Sequence, residues 1–115
     1  MTNFVYKVCE RKAWEAAQWH GFFLGSADDV RDGYIHLSTV DQLPTTLGKH
    51  FAGLENLTLV CFAVESLSGN LKWETSASGK VYPHYYGSLP VTAALRCYDL
   101  PLDAAARHIL PGDLK

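Results

Sequence analysis

The sequence predicts one α+β domain, and three observations support this expectation. The chain has 115 residues and a mass of 12.7 kDa, which is enough for one compact domain and too little for two ordinary ones. Hydrophobic residues make up 48% and charged residues 19%, which is the balance of a globular protein. Two helical patterns come early and most strand patterns come late, which favours α+β over regular βαβ units. We therefore expect a single domain over residues 1–115.

The N-terminal third predicts two strands with a helix between them. Phe4–Cys9 alternates weakly and is rich in residues that favour strands, so we expect the first strand there. Glu10–His20 places its apolar residues on one stripe, which predicts a short helix that ends at Gly21. Gly25–Asp32 is small and acidic, which predicts a loop, and Tyr34–Ser38 is expected to form the second strand.

The middle of the chain predicts a second helix followed by a central strand. Ser38 or Thr39 is suited to cap this helix, which we expect to run to about Phe51 and to be closed by Gly53. Leu57–Val64 is apolar on both faces. Strands of this kind are normally covered on both sides, so this strand is expected in the middle of a sheet.

The C-terminal third predicts three more strands and a short helix. Leu71–Glu74 is expected to be a short strand, and Val81–Tyr86 is extended but interrupted by Pro83, which favours a sheet edge or a bend. Thr92–Leu100 alternates between apolar and polar residues, which is typical of a strand. Leu102–Leu110 has room for one short helical piece.

Charge and hydropathy argue against several classes of protein. Ten Lys and Arg against twelve Asp and Glu give a net charge of −2, so we expect no general nucleic-acid binding, which normally needs a basic excess. The longest apolar stretches, such as Leu59–Val64, are far shorter than the roughly 20 residues that span a bilayer, so no membrane segment is expected. Met1–Val8 lacks the apolar core of a secretory signal.

The cysteines predict a reduced, cytoplasmic protein without thiol chemistry. Cys9, Cys61 and Cys97 are odd in number, widely spaced and without a C-x-x-C pair, so we expect neither a disulfide framework nor a zinc knuckle. All three fall in predicted strands and are expected to be buried small hydrophobic residues, not nucleophiles. The chain also contains no G-x-S-x-G, Walker A or G-x-G-x-x-G pattern.

The segment Asp32–Thr39 carries the most informative polar residues. Side chains alternate along a strand, so Ile35 and Leu37 share one face, which suits a core. The other face carries Tyr34, His36 and Ser38. This face leads into the N-terminus of the next helix, whose free N–H groups suit a phosphate or another anion. The alternative is a polar strand face against solvent, with Ser38 serving only as a cap.

Two further segments could contribute to a ligand site. Tyr82–Gly87 has three tyrosines and a histidine in six positions, which could form an aromatic platform for a flat ring or simply pack over the core from an edge strand. In Leu71–Glu74, alternation points Leu71 and Trp73 inward. It leaves Glu74 outward, where it is a solvated charge unless the sheet brings it beside a histidine or tyrosine.

His50 lies in the last turn of the predicted second helix. A histidine there interacts with free carbonyls and the helix dipole, or it contacts a ligand. A metal site could be drawn from His36, His50, His84 and Glu74, but their spacing matches no compact ligand motif, so no metal is expected.

Several of these segments together resemble a known family, the bacterial domain of unknown function 952 (DUF952) family. The resemblance is carried by Tyr6-Lys7, Trp14, Asp32–Thr39, His50–Gly53, Trp73-Glu74 and Pro83–Gly87. It extends from about Val5 to Leu89, and its most specific parts are the stretch from Gly33 to Thr39 and the Pro-His-x-Tyr-Gly segment. The family has no established activity.

The resemblance implies a fold, because the family is grouped with the ADP-ribosyltransferase-like folds. Those proteins have a split β-sheet with short helices around a cleft that holds NAD. Their first motif is a strand histidine followed closely by Thr or Ser, and His36 with Ser38 is similar to it. There the two side chains position the adenosine-side ribose and the nicotinamide amide. A later tyrosine stacks on the nicotinamide ring, a role that the resemblance implies for Tyr85 or Tyr86.

Two features depart from that family pattern. Leu37 stands where many of these transferases have glycine, and no glutamate follows Glu74, so their late catalytic glutamate has no clear equivalent. Glu74, or failing it His84, is left to support the charge that develops on the ribose.

The resulting site prediction has two groups of residues. The residues expected to be catalytic are His36, Glu74 and His84, and those expected to contact the ligand are Tyr34, Ser38, Thr39, His50, Tyr85 and Tyr86. NAD is the cofactor that the resemblance implies, and no metal is expected.

The sequence leaves three classes of function open. The first is an NAD- or nucleotide-dependent transferase or glycohydrolase, or an enzyme similar to the RNA 2′-phosphotransferases. The alternative is a non-catalytic module that binds a nucleotide or small metabolite. The third is a protein-interaction domain that pairs through an exposed strand edge. We expect a monomer or a homodimer in each case.

Overall fold

Eight strands and three α-helices are present in residues 3–114, the part of the chain that this computed structural model describes. The predicted domain 1–115 and the N-terminal segment Met1–Val8 also include Met1, Thr2 or Lys115, which lie outside the described residues. In chain order the elements are β1 Phe4–Glu10, α1 Arg11–His20, β2 Phe22–Phe23, α2 Ala27–Asp32, β3 Ile35–His36, α3 Leu43–His50, β4 Leu57–Ala63, β5 Leu71–Thr75, β6 Val81–Tyr85, β7 Leu89–Pro90 and β8 Ala94–Asp99. The predicted α+β class is confirmed.

Strand β4 is the middle strand of an antiparallel sheet with the order β1–β4–β8. All seven of its residues are buried. Val60 and Phe62 pack into one apolar cluster with Trp14 of α1, whereas Leu59 and Cys61 pack into a second cluster with the leucines of α3. Helices therefore cover both faces of this sheet, and the prediction of a central strand here is confirmed.

The other three-stranded sheet has the order β3–β6–β5 and is also antiparallel. The prediction that Val81–Tyr86 lies at an edge or a bend is wrong, because β6 is the middle strand. The N–H and C=O of a residue in an antiparallel ladder point to the same neighbour. Pro83 accepts a hydrogen bond from Leu37 N at 3.0 Å, just past the end of β3. The N–H that Pro83 lacks would therefore point toward β3 at the position where the pairing of β3 with β6 ends.

Helix α2 replaces the predicted loop at Gly25–Asp32. Ser26 and Asp29 form a capping box: the Asp29 backbone N–H donates to Ser26 Oγ at 3.3 Å, and the Ser26 N–H donates to Asp29 Oδ2 at 2.8 Å. Gly33 ends the helix in the left-handed region at φ 86°, which costs glycine little. This turn of helix places Asp29 inside the protein, where it is 3% exposed.

The predicted second helix is divided into two parts. A 3₁₀ turn at Val40–Gln42 comes first and is capped by Thr39, whose backbone N–H donates to the Gln42 side chain at 3.0 Å. Helix α3 then begins at Leu43 and ends at His50, close to the expected end, but its C-cap is Phe51 and not the expected Gly53. The polar strand before it contributes only two residues to β3, and Ser38 forms an isolated antiparallel bridge with Tyr6 of β1. This bridge connects the two three-stranded sheets.

Three smaller expectations are wrong. Leu102–Leu110 forms no helix, because Asp103 accepts the Arg107 N–H at 3.0 Å and folds the segment into a turn. Trp73 is 47% exposed instead of inward, since β5 is an outer strand with one open face. Cys97 is exposed because it lies on β8, which is also an outer strand. Within residues 3–114, no helix combines the length and apolar character needed to cross a membrane.

Truncation of a β4 side chain tests the covered sheet. We expect Leu59→Ala, at a position 0% exposed, to lower the free energy of unfolding by about 2–5 kcal/mol, because it leaves a cavity between the sheet and α3. The matched control is Leu95→Ala on β8, where the leucine is 54% exposed and the change should stay below about 1 kcal/mol. Urea denaturation of both variants measures the difference, and equal losses would contradict a β4 covered on both faces.

Candidate functional site

A cleft of about 420 Å³ opens between α2, α3 and the second sheet. Its lining comes from β1, from α2 and the strand that follows it, from one face of α3, from residues 75–78, and from β6. Among the residues predicted for the site, the cleft is lined by Tyr34, His36, Ser38, His50 and His84. Thr39, Glu74, Tyr85 and Tyr86 do not line it. The cleft therefore collects part of the predicted set around His36 and His84.

Asp29 is the buried anion that organises one side of this cleft. Its Oδ2 atom lies 2.8 Å from Lys7 Nζ, and both side chains are almost completely buried, at 2% and 4% exposed. Its Oδ1 atom lies 2.6 Å from His36 Nδ1 and also accepts the His36 backbone N–H at 3.0 Å. One carboxylate thus holds β1, α2 and β3 together and fixes the position of the His36 ring.

Two opposing effects set the pKa of the Asp29 carboxyl. Burial alone would raise this pKa, because it disfavours the charged form. The hydrogen bonds from His36 and the charge of Lys7 outweigh burial, and they hold the pKa of Asp29 well below its usual value. The carboxylate is therefore ionised, and it acts only as an acceptor toward the groups around it.

His36 lies between two carboxylates. Its Nε2 atom is 2.9 Å from Asp32 Oδ2 at the end of α2, opposite the contact that Nδ1 makes with Asp29. Asp32 is in turn 2.9 Å from Arg31 Nε, and the hydrogen bond from Arg31 lowers the pKa of the Asp32 carboxyl. The His36 side chain keeps 38% of its surface exposed. It is therefore rigidly oriented yet accessible from the cleft.

A second histidine–carboxylate pair lies on the adjacent strands. His84 Nδ1 is 2.8 Å from Glu74 Oε1, and the Tyr86 hydroxyl donates to the same oxygen at 2.7 Å. These two hydrogen bonds, that of Tyr86 first, lower the pKa of the Glu74 carboxyl, and the pKa of Tyr86 is raised in return. Glu74 therefore contacts His84 from the side away from the cleft and orients its ring.

The ladder between β3 and β6 brings the two histidines together. His36 and His84 are direct partners in the register, and their ring centroids are 5.6 Å apart. Tyr34 stacks on His84 with centroids 4.0 Å apart and also contacts His36 at 4.8 Å and Tyr86 at 5.4 Å. Since backbone pairing fixes this arrangement, the two imidazoles meet without relying on a mobile loop.

The remaining predicted residues have other positions. Ser38 is buried, and its hydroxyl is 2.8 Å from the Thr46 hydroxyl of α3, while Thr39 caps the 3₁₀ turn. Tyr85 lies in the apolar core, because alternation along β6 points it away from the face that carries His84. His50 is exposed on the rim of the cleft.

Lys7, Asp29 and Asp32 belong to the cleft but were not predicted for it from the sequence. A lysine within the otherwise apolar strand Phe4–Cys9 was a usable signal, since a buried lysine needs a partner. The S-x-x-D spacing of Ser26 and Asp29 was a second signal, because it suits a reciprocal cap at the start of a helix.

The arrangement is suited to proton transfer and to binding a polar ligand. Histidine is the side chain most often used for general acid–base catalysis, and the two imidazoles here are each held through Nδ1 by a carboxylate. Among residues 3–114, no group of three or more His, Cys, Asp or Glu side chains could hold a metal ion.

Comparisons with known proteins found similarity over nearly the whole chain. A family model described as "Protein of unknown function (DUF952)" matches residues 8–97. The crystal structure of protein CC0527 from Caulobacter crescentus is 42% identical, with a TM-score of 0.88 over 92% of this chain and 93% of that chain. A solution NMR structure of CC0527 is 43% identical, with a TM-score of 0.82 over 90% of each chain. The comparison with curated proteins found no match.

Removal of the buried anion tests the organising role of Asp29. We expect Asp29→Asn to lower the free energy of unfolding at pH 7 by about 3–5 kcal/mol, because the buried Lys7 charge then lacks a counterion, although Lys7 keeps its hydrogen bond to the His36 carbonyl oxygen. Urea denaturation measures the loss. The control is Asp41→Asn, an exposed aspartate, which should change stability by less than about 0.5 kcal/mol.

The same pair of variants gives a pH dependence. The folded-state pKa of Asp29 lies below the value of about 3.9 in an unfolded chain. Its contribution to stability is therefore present above that value and is lost as the pH falls below it. The stability gap between the parent protein and Asp29→Asn should narrow below about pH 4. A gap that stays constant between pH 7 and pH 3 would contradict this account.

Proposed function

The chain belongs to the DUF952 family, described as proteins of unknown function, and from the geometry of its cleft we propose that it binds a nucleotide or a nucleotide-like small molecule and acts on it as a transferase or glycohydrolase. One observation carries this proposal. His36 and His84 lie side by side on paired strands, each held by a carboxylate, and both line the same cleft. His84 would supply the acid–base group, because both ring nitrogens of His36 already contact carboxylates, and His36 and the polar lining would hold the ligand.

The chemistry of ribosyl transfer assigns these groups their roles. Cleavage of the bond between a ribose and its base builds positive charge on the sugar, as in glycoside hydrolysis. An attacking water or hydroxyl must lose a proton in the same process. Glu74 occupies Nδ1 of His84, so Nε2 is the nitrogen that is left to accept this proton. His36, whose two ring nitrogens are held by Asp29 and Asp32, would pack the exposed part of its ring against the ribose.

We extend the proposal to the fold and name an ADP-ribosyltransferase-like split sheet. Two observations support it: the two three-stranded sheets are joined at the bridge between Tyr6 and Ser38, and residues of both line the cleft. The arrangement expected around nicotinamide is less well matched, because Tyr85 and Tyr86 do not line the cleft and Tyr34 is the tyrosine beside the histidines. The polar groups fit a ribose and phosphate, so no step here depends on the nicotinamide ring.

A non-catalytic binding module is the second candidate, and the carboxylates favour it. Glu74 is engaged by His84 and Tyr86, and Asp32 is engaged by Arg31 and His36. A carboxylate committed to such partners is less able to stabilise a cationic sugar. The same cleft would then hold a nucleotide without converting it.

Two further parts of the proposal concern where the protein works. The free thiols of Cys9, Cys61 and Cys97 support a reducing compartment such as the cytoplasm. The protein is proposed to be a monomer or a homodimer. In the homodimer, the outer strand β8, on which Leu95 is 54% exposed, would pair with the same strand of a second copy.

Titration calorimetry with NAD and AMP tests the nucleotide site. We expect the parent protein to bind at least one of them and His36→Ala to weaken that binding by roughly 10-fold or more, because the ring that contacts the ribose is lost. The matched control is His20→Ala, which removes an exposed histidine at the end of α1, outside the cleft. Circular dichroism verifies that both variants fold. Absence of binding by the parent protein, or equal binding by His36→Ala, would refute the proposal.

Release of nicotinamide from NAD separates the two candidates, and Glu74 provides the sharper test of the enzyme. If NAD is turned over, Glu74→Gln should lower kcat by roughly 10²–10⁴-fold with little change in KM, since Glu74 acts through His84. In a His84→Gln background the same substitution should have almost no further effect. Additive losses would place Glu74 in direct contact with the substrate instead. Saturable binding without turnover would favour the binding module.

A further inference from the structure

The charged groups that line the cleft are not equally engaged. Lys7 is paired with Asp29, and Arg31 is paired with Asp28 and Asp32 at distances of 2.8–3.1 Å. These two cations offset two of the three carboxylates that α2 places along the cleft. Among the described residues of the lining, Lys49 is the lysine or arginine that pairs with no carboxylate. The cleft thus has an acidic side, whose lysine and arginine are both paired with carboxylates, and a side on which Lys49 has no carboxylate partner among the described residues.

The basic side is formed by one face of α3. Thr45 and Lys49 are four residues apart, as are Thr46 and His50, so each pair lies on the same side of the helix. All four residues line the cleft, while Leu43 and Leu47 of the same helix pack into the core. The Thr46 hydroxyl is already engaged with Ser38. Thr45, Lys49 and His50 are therefore the groups that α3 presents to a ligand.

The position of Lys49 and His50 in the last turn of α3 has a structural explanation as well. Cations there complement the partial negative charge at the C-terminus of a helix. This interaction with the helix dipole requires only that the residues lie in the last turn, and it does not depend on the direction in which their side chains point. It does not account for a threonine one turn earlier on the same cleft wall, or for the pairing of the other cations in the cleft.

We propose that Thr45, Lys49 and His50 form a phosphate subsite, so that the ligand of the cleft is a phosphorylated nucleoside or sugar. This inference rests on the proposed nucleotide site. Phosphate oxygens accept strong hydrogen bonds from an ammonium group, and they also accept hydrogen bonds from a hydroxyl. The carboxylates of Asp28 and Asp32 repel a phosphate on the opposite side and suit sugar hydroxyls. The ligand is therefore oriented with its phosphate toward α3 and its ribose toward His36.

Two matched pairs of ligands test this subsite. AMP is compared with adenosine, and ribose 5-phosphate with ribose, by titration calorimetry on the intact chain. The parent protein should bind the phosphorylated member of a pair at least roughly 10-fold more tightly, because only that member reaches Lys49. Lys49→Gln should remove most of that preference and leave the binding of the unphosphorylated member unchanged. Lys12→Gln, which removes an exposed lysine of α1 outside the cleft, should change neither.

The possible outcomes separate the subsite from the site as a whole. Equal binding of phosphorylated and unphosphorylated ligands by the parent protein would overturn the subsite and leave the nucleotide cleft in place. A Lys49→Gln variant that weakens both members of a pair equally, or neither, would also overturn the subsite. Failure of the parent protein to bind any of the four ligands would overturn the subsite and count against the proposed function itself. Both lysines are exposed, so neither substitution should prevent folding.

Discussion

The buried carboxylate of Asp29 is the interaction on which both the fold and the site depend. It accepts hydrogen bonds from the Ser26 backbone N–H, the His36 backbone N–H and the His36 ring. It also forms an ion pair with Lys7. These partners belong to the start of α2, to β3 and to β1. Loss of the carboxylate would leave several buried donors unpaired at once, which costs more than the contacts contribute singly. The same contacts that close the fold at this point also set the direction of the His36 ring.

His84 is positioned by strand pairing and by Glu74, whereas His36 is positioned by Asp29. The ladder of β3 and β6 places the two histidines opposite each other, and β5 brings Glu74 against the back of His84. Tyr34 packs against both rings. The two imidazoles are thus held by rigid elements, which is the condition for precise proton transfer. Helix α3 then places Thr45, Lys49 and His50 along another wall of the cleft.

The sequence predicted those parts of the fold that depend on local pattern. The central strand at Leu57–Val64 and the helix ending at Gly21 follow from hydropathy and from a helix stop signal, and both are present. Alternation also placed His36 on the face opposite Ile35 correctly. The edge position expected for Val81–Tyr86 was wrong, because the effect of a proline depends on where the neighbouring strand ends, and the sequence of the strand itself does not contain that information.

The site was harder to predict because its supporting contacts span long stretches of chain. Lys7 and Asp29 are distant in sequence, and only the packing of α2 against β1 brings them together. The sequence alone therefore does not show that they are partners. Glu74 was expected at the reacting centre, yet it lies behind His84. Tyr85 illustrates a limit of composition: a stretch rich in tyrosine resembles a platform, but alternation sends Tyr85 into the core.

The most direct test of the central claim is an NMR titration of the histidine side chains. Long-range ¹H–¹⁵N spectra resolve the ring nitrogens of each histidine while AMP is added. The account predicts that the resonances of His36 and His84 shift together and saturate at one ligand concentration, while those of His20 and His108, which do not line the cleft, stay in place. Shifts confined to His20 or His108, or separate saturation of His36 and His84, would contradict a shared ligand cleft.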